Sequence, residues 1–497
     1  MTNIKKYFKK LKTQWKVLVL VSLFLPFGIA LFRITTGSIS FWYDPARDFM
    51  LAISQHQKIG LIGQPSGIPG IFYGPYWVWS LSIVLLIFKD PRIIAFIILT
   101  LPYFIIFPYT LFKLKRIWGT GISIVLWLFF ALSFEGYMIH LWNPHIAPLL
   151  TLVVIYLVSK INFKKANWKD LSVPLFSGFI AGLLMNYHIS FGLGVLVGLF
   201  LYLIIKRSIK VFLSFGTGLT LVFLPFFVFE IRHGFNQINA LFVTLTSSSA
   251  VVTEKSGGHL DIFKQFIGRF STLIGVPDSL GMILFGGLSI YLAYGLAKKR
   301  IKLSLEEKSL LLIICLISST TLIIYILTKN PVWDYHFIGV EILFLLFIGI
   351  VSAKSSLIKK LMVVLLALVI VSKSQAFITE LNSNPFESSS LVTKQFIVDT
   401  IYDDSNNDSF SVFIYSPGQF TPDFEYLLKW RKDVLNMHTY KIDQKGDLVY
   451  LIIPQTSIDL RDDFIDNRTP NEIYHTAKKW EIEDGTIVLR RELNEKN

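Results

Sequence analysis

The side chains able to do chemistry gather in a few short segments, and the densest lies near the N-terminus. Phe41-Trp-Tyr-Asp-Pro-Ala-Arg-Asp48 sets two carboxylates, Asp44 and Asp48, around Arg47. A stretch rich in Gly and Pro follows from Leu61 to Gly70, then Tyr73-Gly-Pro-Tyr76. Asp44 beside Pro45 suits the first turn of a helix, where a carboxylate serves as a cap and Arg47 and Asp48 form a solvated pair. The other reading gives the carboxylate a chemical task, and the Gly and aromatic content of the loop favours it. Further polar groups stand in Trp142-Asn-Pro-His145, at His188, in Phe229-Glu-Ile-Arg-His233, at Lys329 and in Pro331-Val-Trp-Asp-Tyr-His-Phe337. A lone histidine such as His140 or His188 is as readily a hydrogen-bonded structural residue. No P-loop, HExxH, CxxC or GxSxG pattern is present.

The elements that must position these residues are membrane helices. The chain is 53% hydrophobic and only 16% charged, against about a quarter charged in soluble domains. Apolar runs at 15–34, 91–112, 119–140, 145–160, 171–186, 188–205, 210–228, 280–297, 309–327, 337–353 and 358–376 predict about eleven spans across a core of roughly 30 Å. The run from Tyr76 to Phe88 is too short to cross and reads as an interfacial or re-entrant helix. The expected fold is thus an all-α polytopic membrane protein with interfacial helices and a small C-terminal α/β domain. Its boundaries are 1–376 for the membrane domain and 377–497 for the tail. In the tail, Phe410–Tyr415, Leu448–Ile453 and Thr486–Arg490 read as strands, 423–431 as a helix and Asp484-Gly485 as a hairpin turn.

Charge fixes the sidedness expected. The net +14 conceals a segregation: from Ala376 onward there are 13 Lys/Arg against 21 Asp/Glu, and before it 35 against 13. The basic residues sit in short clusters between apolar runs, which marks cytoplasmic loops and not a nucleic-acid surface. With 76–88 lying flat, 24 basic residues fall on one side and the opposite short loops hold one, Lys329. The N-terminus is therefore expected in the cytoplasm. Loops 35–90 and 229–279 and the C-terminal domain are expected outside, in a multi-pass protein of the cell membrane. The lysine-rich start resembles a signal peptide, but its long apolar run without a small-residue cleavage site reads as a retained first helix. One cysteine, Cys315, excludes a disulfide framework.

Asp44-Pro-Ala-Arg47-Asp48, Tyr73-Gly-Pro-Tyr76 and Trp142-Asn-Pro-His145 together resemble motifs of the GT-C superfamily. These are polytopic glycosyltransferases that use polyprenyl-phosphate sugars. The bacterial relatives of protein O-mannosyltransferases and aminoarabinose transferases (family 39-like) are the nearest in outline. The likeness covers about residues 15–240 in motif and the rest in topology. It implies a GT-C-like catalytic domain in which Asp44 is the general base for an acceptor hydroxyl attacking the anomeric carbon. Cations then stabilise the departing phosphate, and Arg232, His233, Lys329 and His336 are the outside candidates, with Arg47 organising the loop. Asp48, Tyr73, Tyr76, Asn143, His145, His188, Glu230 and Tyr335 complete the expected substrate-binding set. Pro45 and Asn143 depart from the family's carboxylates, which weighs against a divalent metal; no metal ligands and no cofactor are expected. The implied partners are a polyprenyl-phosphate-linked sugar, membrane lipid, and an acceptor that is protein, lipid or glycan, with no nucleic acid.

Other readings stay open. The Trp333–Phe337 edge either holds a lipid phosphate and a sugar face or belongs to an interfacial aromatic belt, and Lys329 and Arg33 can simply snorkel. Glu135 and Glu341, ionisable groups inside apolar runs, are secondary candidates, whereas Glu306 and Glu307 read as solvated. Gly257-Gly258 suggests a mobile segment. A transporter or flippase predicts midplane polar residues and repeated halves, which the sequence does not display. A ligase of lipid-diphosphate oligosaccharides or a non-catalytic member would keep the fold.

Overall fold

The computed structural model describes residues 13–163, 168–246, 259–327, 332–382, 387–406, 408–416, 421–435 and 440–494. It is 71% helical. Helices α1 (Thr13–Thr36), α2 (Tyr43–Ser54), α3 (Tyr76–Leu85) and α4 (Pro91–Lys113) open the chain. They are followed by α5 (Thr120–Ser133), α6 (Ala147–Ser159), α7 (Ser172–Tyr187), α8 (Ile189–Lys206) and α9 (Ile209–Arg232). Next come α10 (Asn236–Thr246), α11 (His259–Ile274), α12 (Asp278–Ala297), α13 (Leu305–Leu327), α14 (Val340–Lys354) and α15 (Ser356–Leu381).

Six of these, α4, α8, α9, α12, α13 and α15, are long and apolar enough to cross a membrane. Helices also form at the other five expected positions. There α5, α6, α7 and α14 hold 14, 13, 16 and 15 residues. At 1.5 Å per residue that is about 20–24 Å, short of a core of roughly 30 Å. In α14, 13 of the 15 residues are buried, so protein encloses it on nearly every side. On α12, by contrast, Ile283 and Ile290 are each 70% exposed. Water penalises such a surface; lipid does not, because a helix keeps its backbone hydrogen bonds internal.

The chain forms two compact units, Met1–Leu31, Ile59–Ser80 and Phe96–Phe377 in the first, and Phe32–Lys58, Leu81–Ala95 and Ile378–Asn497 in the second. Within the first, α7 and α9 meet through small residues. A Cβ on Gly178 would lie 1.9 Å from the Phe215 carbonyl oxygen, and one on Gly218 would lie 1.9 Å from that of Leu175. Close backbone approach of this kind is how apolar helices associate when lipid offers no hydrophobic drive. Between α8 and α13, Thr320 Oγ1 donates to the Gly194 carbonyl at 2.7 Å.

In the second unit a five-stranded mixed sheet has the order β2-β1-β3-β5-β4. Its strands are β1 (Phe410–Ile414), β2 (Tyr440–Ile442), β3 (Leu448–Ile453), β4 (Tyr474–Glu481) and β5 (Ile487–Leu493). β1 lies parallel to β2 and β3, while β5 runs antiparallel to β3 and β4. Helices α16 (Leu391–Ser405), α17 (Pro422–Leu435) and α18 (Ile458–Arg468) accompany it. All five residues of β1 are buried, as a strand with parallel neighbours requires. The Asp484-Gly485 turn joins β4 to β5, with Gly485 at φ +85°, a conformation that glycine adopts at no steric cost. β4 lies at the sheet edge and carries Lys478 and Lys479 outward, which protects an edge from further pairing.

One expectation needs correction. Glu307 is not solvated: it is buried, pairs with Lys354 at 2.8 Å and accepts the Ser304 backbone N–H at 2.7 Å. Ser304 and Glu307 cap the start of α13 reciprocally, and this capping draws the carboxylate inward. Glu306 stays partly exposed and pairs with Arg116 at 2.6 Å.

Candidate functional site

Two constellations of polar and aromatic side chains form, one in each unit. That of the second unit is built on α2. The chain enters this helix along a backbone ladder: Phe41 N–H donates to Ser389 O, and Leu391 N–H to Ile39 O, each at 2.8 Å. Lys394 Nζ donates to the Phe41 carbonyl at 2.8 Å and pairs with Asp423. The rings of Phe41, Phe49 and Tyr426 pack at centroid separations of 4.9 to 5.8 Å, which binds α2 to α17. Tail residues therefore set the position of the acidic helix.

On that helix Arg47 bridges two carboxylates. It reaches Asp44 Oδ1 at 2.8 Å through one terminal nitrogen, and Asp48 Oδ1 at 2.8 and 3.0 Å through the other and through Nε. Asp48 is fully buried, whereas the Asp44 side chain stays 32% exposed. The alternative of a solvated Arg47–Asp48 pair does not hold, since the apolar face of α2 carries Asp48 into the core. Burial opposes the charge on Arg47, but Asp48 and Asp44 outweigh it and hold the guanidinium above its ordinary pKa. Asp44 is not the N-cap residue, which is Trp42; it stands in the first turn, where the helix dipole favours an anion. The arrangement offers a fixed carboxylate that is partly open to solvent.

The constellation of the first unit surrounds Arg269 on α11. Arg269 is buried and pairs with Asp334 Oδ2 at 2.9 Å, donates to Tyr137 Oη at 3.0 Å and reaches the Asp334 carbonyl. Burial works against its charge, yet Tyr137, Glu341 and Asp334 together raise its pKa. The residues around it form an aromatic shelf. Tyr137 packs on His145 with centroids 4.9 Å apart, Trp142 on both His145 and Tyr335 at 5.4 Å, and Tyr335 on His336 at 4.2 Å. His145 Nδ1 bonds to the His140 carbonyl at 2.7 Å. The Asn143 side chain donates to the Tyr187 carbonyl at 2.6 Å, next to His188. The His188 ring is buried beside the carbonyls of Tyr335 and His336, yet neither nitrogen reaches hydrogen-bond geometry among the described residues. Glu341 is also buried; its Oε1 accepts from Gly339 N–H at 2.9 Å, and its Oε2 lacks a partner among the described residues.

His336 accepts the Trp333 N–H through Nδ1 at 2.9 Å, so in the neutral ring Nε2 carries the proton. Burial pushes its pKa down to about 4. The neutral ring this favours can donate a hydrogen bond through Nε2.

The remaining expected residues lie elsewhere in the first unit. Tyr73 exchanges backbone hydrogen bonds with Gly63 and Gln64 at 2.8 and 2.9 Å. Tyr76 packs on Trp79 with centroids 5.3 Å apart. Gly74 between them is forced, since a Cβ there would lie 1.3 Å from Asn186 Oδ1. Glu230 is buried and accepts the backbone N–H groups of Gln237 and Ile238 at 3.4 and 3.2 Å, capping α10. Arg232 is exposed, and His233 is exposed with its ring stacked on Phe229 at 4.1 Å. Glu135 pairs with Lys373 at 3.7 Å. Lys329 and the Gly257-Gly258 pair lie outside the described residues. Among the described residues no group of three or more His, Cys, Asp or Glu side chains could hold a metal ion.

Arg269 escaped the sequence reading. A signal was present: Ile262, Phe266, Phe270 and Leu273 form the apolar stripe of α11, and Arg269 falls within it. A charge placed on the buried face of an amphipathic helix needs a partner.

No protein family, curated protein or solved structure matches this chain.

Proposed function

We propose that the chain is a membrane glycosyltransferase of GT-C type, with about eleven spans, its N-terminus in the cytoplasm and its C-terminal domain outside. It moves a monosaccharide from a polyprenyl-phosphate donor to an acceptor hydroxyl on the extracytoplasmic face. Asp44 takes the hydroxyl proton as the oxygen attacks the anomeric carbon, and the bond from that carbon to the phosphate oxygen breaks. By the resemblance, displacement is direct, with inversion.

The observation that carries this reading is the Asp44–Arg47–Asp48 arrangement. Asp48, fully buried, fixes Arg47; Arg47 fixes Asp44; and Asp44 is the more exposed of the two carboxylates. A general base must be held in place and kept ionised, and a structural ion pair does not need a third, exposed member.

The test uses the full chain reconstituted with radiolabelled polyprenyl-phosphate sugars. Wild type transfers label to an acceptor, and Asp44→Asn loses transfer by about 10²–10⁴-fold, the usual contribution of general-base catalysis. Equal transfer by both forms removes the base role, and no transfer from any lipid-linked donor removes the class.

A further inference from the structure

Within the second unit, a cavity of about 220 Å³ opens where the end of α2, the residues after α3 and α17 come together. Its walls include Ile53, Leu85, Leu86 and Trp430, with Lys89 and Lys429 as the basic groups. Nearly all its polar groups are already committed. His56 Nε2 bonds to the Ser82 carbonyl at 3.0 Å, Tyr426 Oη donates to the Lys89 carbonyl at 2.5 Å, and Asp433 pairs with Lys89 at 3.2 Å. Lys429 differs. It is half-buried and has no ion pair or hydrogen bond among the described residues.

Exposed aliphatic side chains flank the cavity on the α3 side, beside the exposed Lys89–Asp433 pair. Leu86, one of the lining residues, is 67% exposed, and Ile83 and Ile87 beside it are 66% and 75% exposed. At spacings of three and four residues these side chains share one face. Three large aliphatic groups grouped on a surface mark an apolar contact and not a water-facing one. Trp430, with an apolar body and a polar nitrogen, is the residue type that sits at headgroup level.

We propose that this cavity binds the headgroup of an anionic diacyl phospholipid, with the phosphate on Lys429 and the acyl chains across Ile83, Leu86 and Ile87. The chemistry selects this occupant. A free phosphate would gain only one unpaired ammonium and nothing from the aliphatic flank. A zwitterionic headgroup would bring a cation to the one lining carboxylate, Asp433, which Lys89 already neutralises. An anionic headgroup uses both the unpaired charge and the apolar edge, and a cavity of this volume holds a headgroup but not the chains. The site is independent of glycosyl transfer and stands or falls separately.

The experiment uses the full chain in maltoside detergent, stripped of lipid, with tryptophan fluorescence read during titration with phosphatidylglycerol carrying brominated acyl chains. Wild type shows a saturable quenching component that Trp430→Phe lacks. Lys429→Gln raises its apparent Kd by about tenfold, the value of one charge-assisted hydrogen bond, and Lys429→Arg restores it. Phosphatidylcholine with the same chains gives no saturable component, and inorganic phosphate at lipid concentrations does not compete. Equal saturation by phosphatidylcholine, competition by inorganic phosphate, or an unchanged Kd in Lys429→Gln would each overturn the assignment. The Lys429→Arg arm separates a lost site from a misfolded variant.

Discussion

Asp48 and Asp44 are four residues apart on one helix, and their environments divide their tasks. Asp48 has no solvent exposure and exists to hold Arg47; Asp44 keeps a third of its side chain in the open. Removing the buried partner of an ion pair strands the other charge at a cost of about 3–5 kcal/mol. Asp48→Ala is therefore expected to lower stability toward the low end of that range, since Asp44 still engages Arg47, and a fall in the thermal midpoint checks this. Asp44→Asn is expected to leave stability within about 1 kcal/mol of wild type, because a partly exposed pair contributes little, and so to leave that midpoint nearly unchanged while transfer is lost. This opposition separates a reacting carboxylate from a structural one. The Asp44–Arg47–Asp48 group was legible in the sequence because all three lie within five positions. Arg269 was not, because its partners Tyr137 and Asp334 stand 132 and 65 residues away, and only the fold brings them together. Glu230 shows the opposite case: its sequence neighbours suggested a ligand contact, whereas its oxygens cap α10.

Among the elements, long apolar runs gave up their identity readily, because a span advertises itself over some twenty residues. Their bounds were less readable: α5 stops at Ser133, well short of the end of its apolar run, and α6 and α14 begin only after the turns Asn143–Ile146 and Asp334–Phe337, whereas α7 keeps the length its run predicted. In the tail, β1, β3 and the Gly485 hairpin were visible from their apolar patterns and turn chemistry. β4 was not, since an edge strand of mostly exposed residues has no alternation to detect. Two element-scale predictions follow from packing and charge. Gly178→Ala forces a Cβ against the Phe215 carbonyl, and overpacking of this kind costs about 1–3 kcal/mol, read as a lowered thermal midpoint. The second concerns Asp404, which joins α16 to the sheet through Tyr450 at 2.8 Å, Lys478 at 2.9 Å and Arg490 at 3.1 Å. Burial raises its pKa, but Lys478, Tyr450 and Arg490 more than reverse this and hold it below the ordinary carboxylate value. The folded value is thus lower than the unfolded one of about 3.9. The stabilisation is fully present above the unfolded value and disappears as pH falls through the folded one. Between pH 6 and pH 3 the thermal midpoint of Asp404→Asn should fall less than that of wild type; parallel curves would contradict the assignment.

For the whole molecule, charge segregation and an acidic helix held by tail residues lead to one demand. A lipid-borne sugar on the outer face can meet Asp44 only if the α2 segment and the C-terminal domain both lie outside the cytoplasm. Sidedness is therefore the claim on which the enzyme reading rests. It is tested in a Cys315→Ser background with single cysteines at two exposed positions, Gln57→Cys after α2 and Glu483→Cys in the tail. Intact cells are treated with a membrane-impermeant maleimide. Both cysteines are expected to label without permeabilisation. Labelling of either only after the membrane is opened would contradict the account.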